Sequence, residues 1–256
     1  MKASKIFLID LVTLMPEMFG ALTKFGVVGR GFKEKFVDIN FINPRNFATD
    51  THKTVDDRAY GGGPGMVMMA DPLIESIESA RAREKSLGIK RRKVIHLTPK
   101  GSRLKHEKVK ELSNKDGLIL IASRYEGVDE RLNKWIDEEI SIGDFVTSGG
   151  ELPAMLLMDA LIRQIPGVLN DIESVNQDSF VNGLLDHPSF TRPESVRGLK
   201  VPDILLSGDH EKIRIWRLKE SLKETKLKRP DLLINKSLTK EESRLLKEIE
   251  QEQEQG

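Results

Sequence analysis

Apolar residues fall along the chain in short runs separated by stretches with helical spacing. Lys5–Leu11, Val37–Ile42, Lys93–Leu97 and Gly117–Ala122 have the length and composition of strands, and Ile140–Ile142 adds a shorter one. Gly117-Leu-Ile-Leu-Ile-Ala122 is apolar on both faces, the pattern of a central parallel strand covered above and below. Helical patterns fill the intervals. They cover Pro16–Leu22, Arg103–Leu112, a short segment ending at Trp135, and Glu151 to about Arg163, closed by Pro166-Gly167. Another is opened by Asp71-Pro72, with Asp71 as N-cap and Leu73, Ile74, Ile77 and Ala80 on one face. Strands alternating with helices predict an α/β fold built on a mostly parallel sheet.

From Leu169 to Ser179 the composition turns to Asn, Asp, Glu, Ser and Gln, which reads as a mobile polar linker. The expected organisation is an α/β domain over 1–168, a flexible interdomain linker over 169–180 and a small, mainly helical C-terminal domain over 181–256. In that last part Asp209–Lys226 is amphipathic, with Ile215, Leu218 and Leu222 at helical spacing. Thr239-Lys-Glu-Glu242 is a capping box for a final helix, and the Glu/Gln tail from Glu248 is expected to fray.

Three loops, 98–101, 123–127 and 142–150, follow the carboxyl ends of successive strands, the edge where open parallel sheets bind ligands. The third belongs to Ser141-Ile-Gly-Asp-Phe-Val-Thr-Ser-Gly-Gly-Glu-Leu-Pro153. Its Gly149-Gly150 pair puts no Cβ in a ligand's way, and Pro153 suits the first turn of the helix that follows. Taken alone, the same loop also reads as a tight strand-to-helix turn without a ligand. Gly61-Gly-Gly-Pro-Gly65 breaks all regular structure, and with no Gly-Lys-Ser/Thr after it, it is not a P-loop.

Composition narrows the chemistry. The 256 residues include no cysteine, which rules out disulfides and thiolate chemistry and removes the ligands of most structural zinc sites. No apolar run approaches the roughly 20 residues that span a bilayer. Met1–Asp10 has too short an apolar segment, and too early an acid, for a signal peptide. A cytoplasmic protein with no membrane partner is the expectation. Net charge is only +1, but residues 81–110 carry twelve Lys/Arg against Glu84 and Glu107, a local balance of +10. Residues 211–230 carry eight against three Glu, a balance of +5. These segments form either a phosphate-tracking surface or two solvated helix faces.

Several runs resemble one family. They are Thr54–Gly65 with Met66, Arg124-Tyr-Glu-Gly-Val-Asp-Glu-Arg131, Ser141–Pro153, Asp178-Ser-Phe180, Gly183-Leu-Leu-Asp186, Thr191-Arg-Pro193 and Leu205-Leu-Ser-Gly208. In order and spacing, from about Ile6 to Leu246, they are similar to the bacterial tRNA (guanine-N1)-methyltransferases, the TrmD family of SPOUT methyltransferases. The resemblance implies S-adenosylmethionine-dependent methylation of N1 of guanosine 37 in tRNA. It also implies a deep trefoil knot through the three loops, an exception to ordinary chain connectivity, and a homodimer with active sites at the subunit interface.

Guanine N1 carries a proton, so a base must remove it and a cation must meet the charge that develops on O6. By resemblance Asp178 is that base and Arg163 that cation. By themselves these residues also read as a helix N-cap or linker acid and as a partner of the helix dipole. The resemblance places the cofactor on His96, Leu97, Thr98 and Pro99, on Ser123, Tyr125, Glu126 and Gly127, and on Ile142, Gly143, Asp144, Phe145, Val146, Thr147, Gly149 and Gly150. His96, Ser123 and Phe145 depart from the family's common Tyr, Gly and Tyr. Glu126 either faces the sulfonium or binds Mg²⁺, an ion associated with the family. Asp56, Asp186, Thr191, Arg192, Arg214 and Arg217 would lie on the tRNA side. The Gly61–Gly65 loop reads as interface and site scaffolding, with phosphate cradling as the alternative. The target base must leave its stack, and the linker near Asp178 would close over it. A silent RNA-binding protein, a ribose 2′-O-methyltransferase and a nucleotide hydrolase are the competing readings. They are disfavoured in turn by the Asp178–Arg163 pair, by the Asp-Ser-Phe segment and by the missing P-loop lysine.

Overall fold

A computed structural model describes residues 6–169, 178–234 and 236–254. The chain divides into two units, Met1–Asn170 and Asp171–Gly256. The first contains β1 (Phe7–Val12), a 3₁₀ turn with α1 (Gly20–Thr23), α2 (Gly26–Lys33), β2 (Val37–Ile42), β3 (Asp56–Asp57), β4 (Val67–Met68) and α3 (Ala70–Ser86). It continues with β5 (Lys93–Arg103), α4 (His106–Ser113), β6 (Gly117–Ile121), a 3₁₀ helix (Glu130–Lys134), β7 (Glu138–Ser141) and α5 (Glu151–Ile162).

Five strands form one sheet in the order β2-β1-β6-β5-β7, with every neighbouring pair parallel. The mostly parallel α/β sheet expected from the apolar runs is present. Side-chain alternation sorts the core into two layers. Ile9, Leu11, Ile95, Leu118 and Leu120 face Val28, Val109, Leu112, Leu157 and Leu161 of α2, α4 and α5. Val12, Val94, Ile119 and Ile121 face Leu73, Ile77 and Ala80 of α3, together with Leu132. All five residues of β6 are buried, which is why its sequence carries no polar position.

Some boundaries differ from the sequence reading. β1 runs from Phe7 to Val12, and Lys5 lies outside the described residues. α3 begins at Ala70 with Met69 at its N-cap, so Asp71 is not the cap. It sits in the first turn, where its carboxylate meets the positive end of the helix dipole. β5 does not stop at Leu97. After a register shift Ser102 and Arg103 pair with Ile140 and Ser141, and the stretch between bulges out of the sheet. The helix expected from Arg103 therefore starts only at His106.

The second unit holds a short hairpin (Ser195–Val196 with Leu199–Lys200), α6 (Asp203–Leu206), α7 (His210–Lys228), α8 (Asp231–Ile234) and α9 (Lys240–Glu254). Leu184, Leu222, Leu245 and Ile249 form its core. The capping box closes in both directions. The Glu242 N–H donates to Thr239 Oγ1 (3.1 Å), and the Thr239 N–H donates to Glu242 Oε2 (2.7 Å). α9 stays helical to Glu254 where fraying was expected, because Ile249 is buried and Glu250 and Glu252 accept from Lys226 and Lys219. Of the linker over 169–180, residues 170–177 lie outside the described residues.

Candidate active site

The bulge within β5 and the loops after β6 and β7 converge on one cavity of about 290 Å³. Its wall includes Leu97, Thr98 and Pro99 from the first loop and Ser123, Tyr125, Glu126 and Gly127 from the second. The third loop adds Ile142, Gly143, Phe145, Val146, Thr147, Gly149 and Gly150. Of the residues expected at a cofactor, only His96 and Asp144 stand off this wall. His96 is buried beneath it, and Asp144 is exposed and paired with Arg103. Lys100, Ile140, Ser141 and Pro153 also line the cavity and were not anticipated.

Close backbone approach builds this arrangement. The Gly150 N–H donates to Ser123 O at 2.6 Å, binding the third loop to the end of β6. A Cβ at Gly150 would stand 2.7 Å from Ala122 Cα and from Ser123 N, so only glycine allows the contact. Ser141 and Thr147 hydroxyls donate to the carbonyls of Gly143 and Gly149 and fix the turn between them. Behind the loop, Arg124 Nε donates to both carboxylate oxygens of buried Glu151 at 3.1 Å, and Thr13 Oγ1 donates to Glu151 Oε1 at 3.1 Å. This ion pair joins the start of the second loop to the first residue of α5, and no sequence motif announced it.

His96 Nε2 lies 2.9 Å from Ser123 Oγ, and its Nδ1 lies 3.3 Å from Glu139 Oε1. Burial lowers the imidazole below its ordinary value, and Glu139 opposes that shift. The ring is neutral at physiological pH. Tyr125 adopts a left-handed backbone (φ 59°). Its hydroxyl is pushed up by burial, then by the charge of Asp56, with Arg45 acting the other way. Asp56 therefore belongs to the rim beside Tyr125. Glu126 packs on Gly65, where a Cβ would meet its Oε1 at 2.6 Å, and the Glu126 N–H donates to Met66 O. The glycine-rich loop thus buttresses the second loop, which agrees with the scaffolding reading.

Glu126 is the one carboxylate on this wall. Among the described residues, no cluster of three or more His, Cys, Asp or Glu side chains is placed to hold a metal. The residues do not fit a protein-held Mg²⁺. They do fit a nucleoside-bearing ligand, with apolar Leu97, Ile142 and Pro153 beside a glycine turn whose backbone a ligand can approach.

A family model described as tRNA (Guanine-1)-methyltransferase TrmD matches residues 7–235. The chain belongs to this family. It is 59% identical over 245 residues to the tRNA (guanine-N(1)-)-methyltransferase of Methylobacillus flagellatus, covering 95% of this chain and 93% of that one. It is 55% identical over 246 residues to the enzyme of that name from Chromobacterium violaceum, covering 96% of each. The corresponding Dechloromonas aromatica protein is 52% identical over 249 residues, covering 96% of this chain and 98% of its own. His96 and Ser123 touch each other.

The other residues expected at the site fall in both units. Arg163 caps the C-terminus of α5 in the first unit. In the second unit Asp178, Asp186, Arg214 and Arg217 line a cavity of about 860 Å³. The Asp186 carboxyl is raised there by burial, with the Asp178 charge contributing. Thr191, Arg192 and Arg217 line a neighbouring cavity.

Many of the cations in the two basic segments are paired with carboxylates. Arg92 pairs with buried Asp10 and with Glu84, Arg83 with Asp10 and Asp38, and Lys93 and Lys108 with Glu138. On α7, Arg214 is clamped between Glu211 and Glu241 and its pKa is raised by those bonds.

Proposed function

We propose that this chain transfers the methyl group of S-adenosylmethionine to N1 of guanosine 37 in tRNA. The observation that carries the reading is the single cavity closed by the β5 bulge and two strand-end loops, in a chain of the TrmD family. When bound there, the donor supplies an electrophilic sulfonium methyl. Leu97, Ile142 and Pro153 offer an apolar slot for its purine ring, and Glu126 sets a negative charge toward the sulfonium. Asp178 accepts the N1 proton, and Arg163 balances the charge that grows on O6. The 860 Å³ cavity around Asp178 is wide enough for an extruded base.

A knotted chain path is part of the same reading. β7 lies at the sheet's edge beyond β5, yet the chain returns from it to the end of β6, where Gly150 meets Ala122 and Ser123. Exposed apolar side chains on the loop and on α5 (Phe145, Val146, Leu152 and Leu156), together with fully exposed Tyr60, support a homodimer with its sites at the interface. No helix among the described residues is long and apolar enough to cross a membrane, and we place the enzyme in the cytoplasm beside its tRNA.

The test is transfer of a labelled methyl group to unmodified tRNA by wild type and by Asp178→Ala. Wild type should label the tRNA, and the variant should be slower by about 10²–10⁴-fold with donor affinity unchanged. A wild-type protein that labels no tRNA refutes the function. Wild-type turnover in the variant removes Asp178 from the mechanism.

A further inference from the structure

The second unit carries a cavity of about 290 Å³ that the reaction above does not use. His187, Phe190 and Trp216 line it together with Arg192, Glu194 and Arg217. The Phe190 and His187 rings lie 6.3 and 6.4 Å from the Trp216 ring and are tilted 52° and 58° to it. Rings at such angles form a tilted cluster and are not stacked face to face, an arrangement to which a flat ligand can add. Phe190 is 47% exposed, which leaves much of its ring uncovered.

The charges select the ligand. Every other lysine and arginine of α7 is paired with a carboxylate. Arg217 and Arg192 make no ion pair among the described residues, and both face this cavity. Aromatic faces beside uncommitted guanidinium groups suit an unstacked nucleobase and its phosphate, and Glu194 supplies an acceptor for a base N–H. Arg217 and His187 also line the larger cavity that holds Asp178, so the two pockets share a wall.

We propose that this aromatic cavity seats a second unstacked nucleotide of the RNA, distinct from the methylated one, and that Phe190 and Trp216 stack on its base while Arg217 holds its phosphate. The inference rests on the tRNA reading above and adds a positioning contact to it. A base fixed next to the Asp178 cavity shortens the search of its neighbour for the catalytic carboxylate.

The chain has two tryptophans, so Trp216 is the sole indole in full-length Trp135→Phe protein. Unmethylated tRNA titrated onto this protein should quench its emission. Phe190→Ala and Arg217→Ala should each bind tRNA about 5- to 150-fold more weakly, the loss expected for one base contact, with S-adenosylmethionine affinity within twofold of wild type. Phe190→Trp should restore binding. Of a set of tRNAs carrying single abasic loop positions, one other than 37 should bind wild type weakly and bind Phe190→Ala no worse than intact tRNA does. Wild-type protein that methylates tRNA while both variants bind it normally overturns this pocket alone. Protein that binds RNA through Phe190 without methylating it overturns the methyltransferase reading and leaves the pocket standing. Protein that binds no RNA overturns both.

Discussion

Gly150→Ala tests the architecture of the donor cavity. The added methyl would stand 2.7 Å from Ala122 Cα and Ser123 N and 2.9 Å from Ala122 C, all backbone atoms fixed at the end of the buried central strand. Carbon contacts settle at about 3.5–4.0 Å, so the turn must withdraw by about 0.8 Å. That movement stretches the 2.6 Å bond from the Gly150 N–H to Ser123 O to about 3.4 Å, beyond useful hydrogen bonding. Overpacking of about 1–3 kcal/mol and loss of a bond worth about 1 kcal/mol together give about 2–4 kcal/mol. In a domain of this size the melting temperature should drop by about 5–15 °C. Because the same displacement opens the cavity, S-adenosylmethionine should bind at least about 10-fold more weakly. Thermal melts and titration calorimetry read both effects. Gly20→Ala, whose Cβ meets nothing nearer than 3.9 Å, is the control and should behave as wild type. A Gly150→Ala protein with wild-type melting and donor affinity within twofold would show that the loop is not held against β6.

Two further outcomes follow from the buried polar groups around the cavity. Glu151→Ala leaves Arg124 and Thr13 without their acceptor. Because Arg124 keeps 19% side-chain exposure, the cost should be about 2–4 kcal/mol, below that of a fully buried orphan charge; a change under about 0.5 kcal/mol in denaturant titrations contradicts this. His96 has a folded-state pKa below its ordinary 6.5, chiefly through burial. The unfolded chain therefore binds the extra proton first, and stability should fall as pH drops below about 6.5, by at most about 1.4 kcal/mol per pH unit. His96→Gln should flatten that slope, and identical pH profiles for the two proteins would exclude His96 as its source.

The parts of the fold that the sequence made legible are those where burial leaves a pattern. Gly117–Ile121 reads as a strand because a sheet covered on both faces excludes polar side chains, and Val37–Ile42 because its apolar residues include both buried ends of an edge strand. The three segments that line the cavity were visible because glycine, proline and polar residues interrupt the apolar runs there. What escaped depends on partners distant in sequence. The continuation of β5 through Arg103 exists only because β7 pairs with it after a bulge. Arg83 and Arg92 read as surface charge, yet they neutralise Asp10 inside β1, more than seventy positions earlier. Arg124 and Glu151 belong to separate motifs, and nothing local joins them. Asp144 lies within a cavity loop but turns to Arg103 on the outside, because a loop of glycines and short side chains does not fix by sequence which side faces in. Arg214 is clamped by Glu211 of its own helix and by Glu241 of the neighbouring α9, and the second of these partners is invisible to local sequence.

The most direct test of the account is the position of the methyl group itself. Purified protein is incubated with methyl-labelled S-adenosylmethionine and unmodified tRNA bearing guanosine at position 37, and the digested nucleosides are resolved by mass spectrometry. The label should appear on N1 of that guanosine and disappear when the position carries adenosine. Label on a ribose 2′-oxygen, on another base nitrogen, or on a tRNA lacking guanosine 37 would contradict a mechanism in which Asp178 removes the N1 proton.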